Sequence, residues 1–81
     1  MKATIIDVNL NKGRAVALLS NDEYVLLEVF TDEPELHDEV CGNFHDYPLG
    51  CEIIHNITSG MDMDVVIQDY CTKVVAEEYI K

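Results

Sequence analysis

The sequence predicts a mainly β fold, a small barrel or strongly curved sheet of five to six strands with a short C-terminal helix. Five short apolar runs rich in β-branched residues follow one another with polar turns between them. An acidic, proline-containing loop interrupts them after the third run, and the last twenty residues introduce helical spacing. With 81 residues the chain holds one small domain, whose few core positions must pack well.

Residues 2–10, KATIIDVNL, alternate as a strand does, with Thr4, Ile6, Val8 and Leu10 on one face and Ala3, Ile5, Asp7 and Asn9 on the other. Asn11-Lys12-Gly13 is a turn signal. The second strand is RAVALLS at 14–20, ended by Asn21-Asp22-Glu23, and YVLLEVF at 24–30 is the third. TDEPELHDE at 31–39 holds five acids and a proline and reads as a solvated loop. Val40 to His45 is a fourth strand, residues 46–50 a turn cluster, and Cys51 to Thr58 a fifth strand, with Ser59-Gly60 as a boundary. Val65, Val66 and Ile67 favour a strand at about 64–70, while Ile67, Tyr70, Cys71 and Val74 also follow helical spacing, so one continuous helix is the alternative. A helix over 72–80 follows, with Thr72 as N-cap. Val74, Val75, Tyr79 and Ile80 are its packing candidates. On this reading residues 1–60 form the barrel, and 61–81 are a strand and helix extension packed on the same domain.

Charge narrows the function classes. Sixteen Asp and Glu oppose five Lys and Arg, for a net charge of −11. Residues 15–72 contain 13 acids and no Lys or Arg. Nucleic-acid affinity draws on Lys and Arg that neutralise phosphates, so this stretch should repel a polyanion. No apolar run approaches the roughly 18–20 residues of a membrane span, and the opening MKATIID lacks the pattern of a secretory signal. Three cysteines, Cys41, Cys51 and Cys71, read as reduced thiols of a cytoplasmic protein rather than a disulfide framework.

Five short strands with an acidic loop after the third suggest an OB-like barrel. Met1-Lys2-Ala3-Thr4-Ile5, then Asn9, then Lys12-Gly13, resembles the opening of bacterial cold-shock domains. Leu36 and Val40 sit where that family places its post-loop strand, and Ile54-His55-Asn56-Ile57 resembles its closing segment. The resemblance covers about residues 1–58 and implies the fold. Cold-shock domains bind single strands by stacking bases on aromatic side chains beside basic residues. Here Asp7 and Val8 stand at the tryptophan and phenylalanine positions of the first motif, Arg14-Ala15-Val16 follows Lys12-Gly13, and Tyr24-Val25-Leu26-Leu27-Glu28 replaces the second aromatic motif. These departures argue against the family's activity.

The spacing Cys41-x3-His45 and Cys51-x3-His55 invites a metal test. A hairpin around Pro48 pairs Cys41 with His55 and His45 with Cys51 on one face. Residues four apart along a strand are about 13 Å apart, whereas zinc ligands lie about 2.0–2.3 Å from the metal. One ion cannot join all four, so no metal or other cofactor is expected and ordinary Cys/His pairs are. A Cys41/His55 nucleophile would need a third, orienting group and electropositive surroundings. No calcium loop, phosphate loop or HExxH is present.

The expectation is a non-catalytic interaction module. It would bind a basic protein through Asp32, Glu33, Glu35, Asp38 and Glu39, with neither nucleic acid nor membrane as partner. The alternative is a degenerate single-strand binder using Lys2, Lys12, Arg14, Tyr24 and Phe30. A third reading is a metal protein or enzyme using Cys41, His45, Cys51 and His55.

Overall fold

The computed structural model describes residues 1–42, 44 and 49–81. Among them are six strands: β1 (Lys2–Asn9), β2 (Arg14–Leu19), β3 (Tyr24–Val29), β4 (Glu39–Cys41), β5 (Gly50–Asn56) and β6 (Met61–Cys71). One α-helix, α1 (Lys73–Ile80), follows them, and a 3-10 turn at Leu10–Lys12 joins β1 to β2. The strands form a closed barrel in the order β1-β2-β3-β6-β5-β4, and β4 pairs back onto β1. Every neighbouring pair is antiparallel. Closure removes exposed sheet edges, which would otherwise present unpaired N–H and C=O groups. No helix of the described residues is long and apolar enough to cross a membrane.

Local sequence explains the turns. Gly13 ends the 3-10 turn with φ of 65°, a left-handed conformation that costs glycine nothing. The turn is tied to the end of β3, where Val29 N donates to Gly13 O at 2.7 Å. The β5–β6 hairpin turns on Asn56, whose side-chain oxygen accepts from Ser59 N at 3.1 Å, while Gly60 N donates to Asn56 O at 2.9 Å. Ser59-Gly60 is thus a hairpin turn within the barrel.

The barrel interior is lined by Ala3 and Ile5 of β1, Ala15, Ala17 and Leu19 of β2, and Val25, Leu27 and Val29 of β3. Val40, Phe44, Ile54 and the Met63, Val65 and Ile67 triplet of β6 complete it. β6 is therefore a stave of the barrel, inserted between β3 and β5, and not an extension laid against it. It begins at Met61, earlier than 64, because Met63 fills the interior. β4 is shorter than expected and ends at Cys41; His45, Asp46, Tyr47 and Pro48 lie outside the described residues.

The alternation assigned to residues 2–10 fails midway. Register with β2 shifts between Ile5 and Asp7, a bulge at Ile6. Ala3 and Ile5 face the interior before it and Val8 packs on the interior after it, while Ile6 turns outward.

A second apolar cluster lies outside the barrel. Val16 of β2, Leu26 of β3 and Ala76 of α1 are buried together, with Ile6, Tyr24, Cys71, Tyr79 and Ile80 packed around them. The helix therefore covers the outer face of β1, β2 and β3. Helical spacing puts Ala76, Tyr79 and Ile80 on this side. Val74 and Val75 point away, 71% and 46% exposed, which corrects the expectation that they pack. Thr72 occupies the N-cap position but makes no side-chain capping bond.

Candidate interaction surfaces

Three surfaces gather the candidate residues. The first is the acidic loop between β3 and β4. It is sewn to β1, since His37 N donates to Ile5 O at 2.7 Å and Ile5 N to Asp38 O at 2.8 Å. Asp32, Glu33, Glu35 and Glu39 stand exposed upon it. Asp38 does not join them. It is 8% exposed, and its Oδ2 accepts from Asn56 Nδ2 at 2.8 Å and from Glu35 N at 2.9 Å. A buried carboxylate persists only when hydrogen-bonded in this way. Asp38 thus holds the loop's shape, and four carboxylates, not five, face outward.

The second surface is the seat of α1, and it absorbs most of the basic and aromatic residues named for nucleic acid. Arg14 Nη1 donates to Tyr79 O at 2.9 Å, and its guanidinium lies 4.8 Å from the centre of the Tyr79 ring. Lys12 Nζ donates to Lys81 O, and Asn9 Nδ2 to Ile80 O at 2.9 Å. These donors meet the carbonyls that a helix leaves unsatisfied at its carboxyl end, where the dipole also favours cations. Tyr79 Oη donates to Leu27 O at 2.8 Å, which ties the helix to β3. Burial pushes the Tyr79 phenol up; Arg14 opposes this and Glu28 adds to it. Burial also pushes the Cys71 thiol up, reinforced by Asp69 and Glu23. Tyr24 packs at the other end of the helix. Lys2 lies apart, opposite Cys41 on the β1–β4 ladder. Phe30 lies beside β6, where its N–H donates to Asp64 O at 2.9 Å. The five residues therefore do not form one patch.

The third surface is the outer face of β3, β6 and β5. Ladder pairs set its rows: Glu28, Val66 and Cys51 in one, Phe30, Asp64 and Ile53 in the next, and Asp62 with His55 in the last. β4 extends the last row, because Cys41 pairs with His55 as the hairpin reading requires. His55 Nδ1 and Asp62 Oδ1 are 2.8 Å apart on the exposed surface. Cys51 is exposed opposite Val66, and the predicted His45–Cys51 pair falls outside the described residues. Among the described residues no three His, Cys, Asp or Glu side chains are placed to hold a metal ion. A shallow groove of about 570 Å³ runs along this face, lined by Phe30, Cys51, Ile53 and Asp64 among others.

Sequence reasoning missed this groove. Ile53 beside Ile54 was its signal: neighbouring strand residues face opposite ways, so one of two adjacent isoleucines must point out.

No protein-family model, curated protein or solved structure matches the chain. The closed barrel is compatible with an OB-like architecture, and no family match accompanies the cold-shock resemblance.

Proposed function

We propose that the chain is a non-catalytic, cytoplasmic interaction module on an OB-like barrel, and that it binds a basic protein partner. The observation that carries this reading is the division of charge. Asp32, Glu33, Glu35 and Glu39 face solvent on a loop fixed to β1, whereas Lys12 and Arg14 are spent on the carboxyl end of α1. An outward acidic surface with its own cations turned to internal contacts attracts a basic partner and steers its approach. The same disposition favours a protein over a single-stranded nucleic acid, because stacking and phosphate contacts need aromatic and cationic side chains together on one open face.

The test compares a labelled Lys-rich peptide with labelled single-stranded RNA and DNA by fluorescence anisotropy, at about 50 mM and 200 mM salt. The expected result is saturable, salt-sensitive binding of the peptide alone, lost in an Asp32→Lys, Glu33→Lys, Glu35→Lys triple variant. Saturable RNA or DNA binding abolished by Lys12→Glu and Arg14→Glu would replace this reading with the single-strand one.

A further inference from the structure

The groove on the outer face of β3, β6 and β5 combines features that select one kind of occupant. Phe30, just past the end of β3, and Ile53 of β5 are large apolar side chains, 60% and 59% exposed. Asp64 lies between them in the same row. Its carboxylate is steadied by the end of β3: Thr31 Oγ1 donates to Asp64 Oδ2 at 3.3 Å and accepts from Asp64 N at 3.1 Å. Glu28 and Asp62 stand in the rows on either side.

On the reading that the chain binds a basic protein, we infer that this groove is where the partner is anchored, by an arginine flanked by apolar residues. A guanidinium seated on Asp64 would pair with the carboxylate through two parallel N–H donors and lay its flat face on the Phe30 ring. The apolar neighbours would cover Ile53 and Cys51. Lysine fits less well, because its ammonium is a hydrated point charge without the planar fork. A second copy of this chain is a poor occupant. An isologous contact would set the face that carries Glu28, Asp62 and Asp64 against the same acidic face of its copy, and no Lys or Arg occurs between residues 15 and 72 to offset them.

The test titrates the full chain with two labelled peptides of equal charge, one alternating Arg with Leu and one alternating Lys with Ser, and maps backbone amide shifts by NMR. The Arg/Leu peptide should bind about tenfold tighter and shift residues 30, 51, 53 and 64. Ile53→Ser and Asp64→Asn should each remove most of that advantage with an unchanged urea midpoint. Equal binding of both peptides, with shifts confined to 32–39 and no effect of Ile53→Ser, would overturn the groove and leave the basic-partner reading standing. Binding of neither would overturn both. Concentration-dependent shifts at the groove without peptide would also overturn it, by assigning the face to self-association.

Discussion

The two sides of β3 carry the same secondary structure and opposite fates. Toward β2, its outer surface is sealed: Leu26 lies with Val16 beneath Ala76 of α1. Toward β6 and β5, Phe30 and Ile53 are exposed between carboxylates. The difference is written in the strands themselves. β2 and the first half of β3 read as unbroken apolar runs, AVALL and YVLL, the pattern of strands covered on both faces. β5 and β6 mix acids and polar residues into the outward positions, so they close the barrel on one face only. The face that α1 covers and the face proposed for a partner are thereby distinguishable in the strand sequences.

Paired truncations test that contrast most directly. Leu26→Ala should cost about 2–4 kcal/mol in urea unfolding, as a large core side chain does, and Ile53→Ala less than about 0.5 kcal/mol. Equal losses would mean that α1 does not cover β3 in solution. Arg14→Ala should be next, at about 1–3 kcal/mol, because a charged hydrogen bond to Tyr79 O and a cation–π contact go together. Far-UV circular dichroism should show the helix fraying as well.

Tyr79→Phe should cost about 1 kcal/mol through loss of the bond to Leu27 O. It also has a pH signature. Burial raises the folded phenol's pKa, so the folded state keeps this proton after the unfolded state has lost it. The stabilising contribution is complete below about pH 10 and declines as pH rises beyond it toward the folded value. Urea midpoints measured across that window should fall more steeply for the wild type than for the variant. Smallest of all, Asp62→Asn should change stability by about 0–0.5 kcal/mol, since an exposed pair with His55 contributes little.

Much of this architecture was legible in the residues. Strands and turns announced themselves through apolar runs and Asn-Lys-Gly or Ser-Gly punctuation, and the Cys41–His55 register followed from parity around Pro48. The C-terminal helix was legible from Tyr79 and Ile80, but Val74 and Val75 look equally apolar and only the packing of Ala76 shows which side turns inward. The bulge at Ile6 carries no composition signal, because a single extra residue in an apolar strand changes facing without changing character. Asp38 was indistinguishable from its acidic neighbours. Its burial depends on Asn56, eighteen residues away, and such a pairing exists only once the strands have met.

The insertion of β6 between β3 and β5 also dictates an order of events during synthesis. β1, β2 and β3 can pair as a meander as soon as they emerge, but the sheet stays open until residues 61–71 have been made. Until then β3 offers a free strand edge, and until α1 follows, Val16 and Leu26 are wet. Residues 61–71 therefore shut the barrel, and α1 after them covers the outer face of β1, β2 and β3 alone.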